Sequence, residues 1–187
     1  MEFDSSRILA GIGSILTAIG IFIPLLTLVG LILLLIGLKG LSDTYREEGI
    51  FRNALYAVII GVIGLVTIMF AAISIAGIAT TFAPSIPLLM AGGVIGTVLL
   101  FIVVFFVILV LEALFYKKSL DLLATKSGEK LLETAGLLLL IGAVLTIIIV
   151  GLILIFIAWI IAAVAFFSLK PPQPAKEQVV QAPPALA

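Results

Sequence analysis

The chain has 187 residues, 64% of them hydrophobic and 11% charged, and its basic and acidic side chains balance to zero net charge. A soluble globular domain averages about 45–50% apolar and about 25% charged residues, and no soluble fold of this length has enough interior to hide so much apolar surface. Zero net charge excludes a basic field for nucleic acid. The lack of cysteine excludes disulfides and thiol chemistry, and with no histidine either, the usual zinc, haem and copper ligand sets cannot be built.

Three runs without charge organise the chain: Ile8 to Leu38 (31 residues), Asn53 to Leu111 (59) and Thr134 to Leu169 (36). As single helices they would be about 46, 88 and 54 Å long, against about 30 Å of hydrocarbon. Each is too long for one crossing and fits a helical hairpin, the first and third with short or tilted arms. The predicted fold is all-α: a polytopic membrane protein with six transmembrane helices arranged as three hairpins. The spans are expected at about 8–23, 28–44, 52–80, 88–112, 131–149 and 151–169, within a membrane domain covering 1–170.

Taken in order, the chain starts with two acids ahead of Arg7. The apolar segment that follows outruns a signal-peptide h-region and has no small-residue cleavage site, so it is expected to stay as an anchor. Pro24, between Gly20 and Gly30, predicts a break near residues 23–28. The junction 39–52 holds Lys39, Asp43, Tyr45, Arg46, Glu47, Glu48 and Arg52, with Gly49 as the expected helix stop. In the middle run, Thr80 to Pro87 contains two prolines in four residues and predicts the second hairpin tip.

The fourth span is expected to run on into a short amphipathic helix. Leu114, Phe115, Leu122 and Leu123 would face lipid or protein, Lys117, Lys118, Asp121 and Lys126 would face water, and Gly128 would end it. The third run has no proline, so Gly151 is its expected pivot, with one long tilted helix as the alternative. Residues 171–187, with five prolines, read as a flexible cytoplasmic tail.

Six crossings put every charged segment on one face. Basic residues make that face cytoplasmic, which predicts a cell-membrane protein with both termini inside. A single span over 134–169 would instead place Lys170 and Lys176 outside.

There is an internal echo. Gly13 to Thr17 (Gly-Ser-Ile-Leu-Thr) resembles Gly142 to Thr146 (Gly-Ala-Val-Leu-Thr), and Val29 to Leu33 recurs letter for letter as Val150 to Leu154. The gap between the two motifs is eight residues longer in the first hairpin. The echo reads either as a parallel repeat or as shared packing needs in two short hairpins.

Three stretches carry a family likeness. They are Gly37 to Asp43 followed by Ile50 to Tyr56; Phe115 to Ser119; and Gly136 to Gly142 leading to Phe156–Ile160 and Phe166–Leu169. Their order and spacing resemble an uncharacterised, mostly archaeal multi-pass membrane protein family (domain of unknown function 996). The resemblance covers nearly all of the chain except the tail. It implies a multi-pass membrane protein and brings no known activity and no functional residues.

Candidate residues are few. An intramembrane carboxylate is by default an ion or proton site. Glu112, however, is residue 25 of a helix counted from Leu88, so it is expected at the cytoplasmic surface beside Lys117 and Lys118. Asn53 with Tyr56 could bind a polar group at the cytoplasmic mouth and Trp159 could line a pocket, but Asn53 and Tyr56 are expected to cap or anchor the third span and Trp159 to pack or sit at the interface. The pairs Gly92/Gly96, Ala57/Gly61 and Ala158/Ala162 suit close helix packing, and Ser14, Thr17, Thr67, Ser74, Thr97 and Thr146 are expected to bond to their own helices.

There is no paired carboxylate within the membrane, no nucleophile with a base and no phosphate loop, so no enzyme, catalytic residue, cofactor or metal is predicted. The expected partners are the lipid bilayer and a further membrane protein or second copy, not nucleic acid. The expected function is a structural or accessory subunit of a membrane complex. The alternatives are a small transporter or pore for an apolar or weakly polar solute, or an anchor whose tail recruits a soluble partner.

Overall fold

The computed structural model describes residues 2–82, 87–148 and 150–172. Among these residues it forms six α-helices and no strand: α1 (Phe3–Gly20), α2 (Pro24–Tyr45), α3 (Glu48–Phe82), α4 (Pro87–Ser127), α5 (Lys130–Leu145) and α6 (Val150–Ser168). A 3-10 turn, Thr146–Ile148, follows α5. Five of the helices, α2 to α6, are long and apolar enough to cross a membrane. The exception is α1, whose 18 residues include Asp4 and Arg7.

Each helix packs on its neighbours in the chain, and α6 returns to pack on α1, so the six close a ring in chain order. The lengths are unequal. The 35 residues of α3 and 41 of α4 would extend about 52 and 61 Å. The other four helices have between 16 and 22 residues.

The charged junctions gather at one end of the bundle. Arg7 Nη1 donates to Leu169 O (3.0 Å), tying the start of α1 to the end of α6, and Tyr45 Oη donates to Lys170 O (2.6 Å). Ser119 Oγ donates to Ile50 O (2.7 Å), and Lys126 pairs with Glu47 at 3.2 Å. The largest fully buried side chains, Phe166, Leu38, Leu41, Ile50, Leu120 and Leu123 among them, come from residues near these same junctions.

Several turns differ from expectation. The first break lies at Ile21–Ile23 rather than 23–28, because Pro24 begins α2 instead of disrupting a helix. Gly49 is not a helix stop. Arg46 ends α2 in the left-handed conformation (φ 53°), with Glu47 N donating to Ser42 O (3.0 Å), while Gly49 lies in the first turn of α3. There a Cβ would meet Leu122 Cδ1 at 2.7 Å, so the glycine lets α4 approach.

Gly151 is not the third pivot either. The turn lies upstream of α6, and Gly151 stands just inside it. Gly128 does end α4, with φ 77°. The expected middle tip falls largely on residues 83–86, outside those described, as does the tail from residue 173.

The echo corresponds to one repeated piece of packing. A Cβ on Gly13 would lie 2.5 Å from Leu34 N and 2.7 Å from Gly30 O, and one on Gly30 would lie 2.6 Å from Thr17 N. In the third hairpin, a Cβ on Gly142 would lie 3.0 Å from both Gly151 O and Ile155 N, and one on Gly151 would collide with Gly142 O and Thr146 N. Thr17 and Thr146 each donate to the glycine four residues back at 2.8 Å. The eight additional residues of the first hairpin amount to about one helical turn on each arm. Whole turns preserve the faces, so both hairpins close on the same Gly–Gly–Thr crossing, and the first adds a further layer where Gly20 meets Thr27.

Candidate functional site

Among the described residues, the one acid inside the apolar body of the bundle is Glu112. Neither Lys117 nor Lys118 pairs with it. Its carboxylate faces Gly61 on α3, where a Cβ would lie 2.8 Å from Glu112 Oε1. Lys117 turns away to pair with Asp121 one turn further on, and Lys118 lies over the Phe115 ring at 5.3 Å. Among the described residues, no hydrogen bond or ion pair reaches Glu112.

Glu112 stands within α4, short of its end. That helix continues to Ser127, so Lys117 and Lys118 are not its end. On neighbouring helices, Gly61 is about 13 Å past Arg52, Leu31 about 12 Å past Lys39, and Trp159 about 16 Å before Lys170.

Two cavities share the Glu112 and Leu109 wall. The larger, about 400 Å³, is lined on the α1–α2 side by Gly20, Leu25, Thr27, Leu28 and Leu31, and otherwise by α3 and α4. Its rim residues Leu25, Leu28, Val62, Leu65 and Ile68 are exposed, so it opens sideways. The smaller, about 100 Å³, lies among α4, α5 and α6 and is lined by Tyr116 and Trp159 as well as Glu112. Tyr116 is 3% exposed, its ring meets Trp159 edge-to-face (5.2 Å, 83°), and its hydroxyl has no hydrogen-bond partner.

Glu112 and Tyr116 are four residues apart on one helix, so they share a face. That spacing was readable in advance. What the sequence could not supply was the partner surface, Gly61 and Trp159, on helices distant in the chain. The other candidates are occupied locally. Asn53 Nδ2 donates to Gly49 O (2.7 Å), and Tyr56 packs edge-to-face on Phe115. Ser14, Thr17, Thr67, Thr97 and Thr146 donate to carbonyls one turn back.

Small residues serve internal packing at Ala57, Ala158 and Ala162, all fully buried, whereas a Cβ on Gly96 would meet open space. A carboxylate and a phenol at the junction of two apolar cavities can bind a charged or hydrogen-bonding group.

A profile of the family described as "Protein of unknown function (DUF996)" matches residues 26–160. The chain belongs to the DUF996 family. The matched stretch includes Gly61, Glu112, Tyr116 and Trp159. The DUF996 chain is also similar to the uncharacterized protein MJ1644 of Methanocaldococcus jannaschii, with 31% identity over 170 residues covering 90% of this chain and 94% of that protein. No solved structure matches it.

Proposed function

We propose that this DUF996 protein is an integral protein of the cell membrane, its three hairpins entering from a cytoplasmic charged face, and that it is an accessory subunit of a membrane complex. The observation that carries this is the outer part of α3 and α4. Past the level of Gly64 and Phe105, the two helices present large apolar side chains outward, with Phe70 64%, Ile73 67% and Leu100 63% exposed. The shorter hairpins do not extend far enough to cover them. In lipid, helices associate through close packing at small residues, and Gly93 and Gly96 on this arm have open space beside them.

The test is purification from native membranes in mild detergent, with photo-crosslinking residues placed at Ile73 and Leu100. A reproducible crosslinked polypeptide, or a second copy of the chain, supports the subunit reading. A protein that always purifies alone as a monomer, crosslinked only to lipid, overturns it.

A second reading, a small carrier for an apolar or weakly polar solute, is favoured by the sideways-opening cavity at Glu112. Reconstituted vesicles showing no flux across a broad solute panel would remove it.

A further inference from the structure

The Glu112 site has a chemistry that no family description assigns. Its walls are almost wholly apolar: besides Glu112, the larger cavity offers one polar side chain, Thr27, and the smaller offers Tyr116. No basic residue lines either space. The nearest lysines along α4 are engaged, Lys117 with Asp121 and Lys118 with Phe115. A carboxylate in such surroundings is costly when ionised and unpaired. The protein supplies no counter-charge, yet it leaves volume on both sides of the acid and a glycine opposite it.

The shape of the space says what the missing counter-charge is attached to. A metal ion needs several oxygen ligands around it, and among the described residues no group of three metal-binding side chains exists. The larger cavity instead offers about 400 Å³ of apolar volume reached from the side of the molecule. An amphiphile already dissolved in the bilayer could enter there. The smaller cavity lies on the other side of the Glu112 and Leu109 wall, with two aromatic rings and an unpartnered hydroxyl.

We propose that the larger cavity at Glu112 is a binding site for a lipophilic organic monocation, with Glu112 as counter-ion and Leu28, Leu31 and Leu65 holding the apolar body. A proton and the cation compete for one carboxylate, so binding weakens as pH falls. Apart from Tyr116, no other titratable side chain lines either cavity from α1, α2, α3, α5 or α6. Occupancy does not require that the ligand be moved across the membrane, so the site stands or falls separately from the subunit and carrier readings.

The test uses the full chain in detergent or lipid nanodiscs, with tetraphenylphosphonium as probe and tetraphenylborate, an anion of the same shape, as control. Equilibrium dialysis should show saturable binding of one tetraphenylphosphonium per chain and none of tetraphenylborate. Glu112→Gln should weaken binding at least tenfold, and Glu112→Asp should retain part of it. Leu65→Trp, which fills the cavity and leaves the acid in place, should also weaken it, whereas Ile73→Trp on the outer arm should not.

If Glu112→Gln fails to fold, Leu65→Trp and the loss of binding at low pH still decide the matter. Three results would overturn the proposal: no saturable binding to the native protein, equal binding of the anion, or binding unchanged in both Glu112→Gln and Leu65→Trp. The first of these would leave Glu112 a site for a proton alone.

Discussion

Gly61 on α3 stands directly against the carboxylate of Glu112 on α4, close enough that a Cβ would lie 2.8 Å from Oε1 and 3.1 Å from Cδ. Gly61→Ala should therefore displace the carboxylate, the far end of a flexible side chain, at a cost of about 0.5–1.5 kcal/mol, that of an off-rotamer side chain. The cost belongs to the pair. In the Glu112→Ala background the same substitution should be nearly free, giving a coupling of the same size in a double-mutant cycle. Thermal unfolding of the four proteins in one detergent measures it, and additive effects would mean that the two groups do not compete for the same space.

Glycines of similar appearance should behave in opposite ways. Gly13→Ala places a methyl 2.5 Å from Leu34 N, a backbone atom that can move only with its helix, and Gly142→Ala does the same against Gly151 O and Ile155 N. Both should lower the melting temperature, by the equivalent of about 1–3 kcal/mol. Gly96→Ala meets nothing and should leave stability unchanged or raised by up to about 1 kcal/mol, the helix preference for alanine.

The two links between the α4 extension and the start of α3 should differ in weight. Ser119 is fully buried and its hydroxyl donates to Ile50 O, so Ser119→Ala removes a buried bond to a carbonyl that still accepts within α3 and should cost about 0.5–1.5 kcal/mol. Lys126 and Glu47 form a partly exposed ion pair, and Lys126→Ala should cost no more than about 1 kcal/mol, less at high salt. Melting curves at low and high ionic strength separate the two.

Topology can be read without background labelling, because the chain has no cysteine. Single cysteines at Arg46, Gly128 and Lys170, one in each of three charged junctions, should all react with a membrane-impermeant thiol reagent from the cytoplasmic side and from that side alone. Labelling of any one of them from outside intact cells would break the one-sided arrangement.

Helix class and the segmentation into apolar runs were legible in the sequence because charge is so sparse that each junction announces itself. Gly128 was equally plain, a glycine placed where a helix ends. The errors share one cause. Gly49 and Gly151 read locally as punctuation, but each has a side chain or backbone of another helix against it, and nothing within a few residues reveals that neighbour. Arg46 illustrates the converse: a left-handed helix end built on a residue that ordinarily avoids it, for which the structure offers no steric reason. The surroundings of Glu112 were not legible, because Gly61 and Trp159 stand on helices distant in the chain.

Because α6 closes back onto α1, with Arg7 reaching Leu169 and Tyr45 reaching Lys170, the order of the helices in space has no true beginning. A chain opened at the Ser127–Glu129 turn and joined through a linker from Lys170 to Glu2 would have the same neighbours throughout. Such a circular permutant should assemble the same ring, which would make the position of the ends a matter of synthesis and not of architecture.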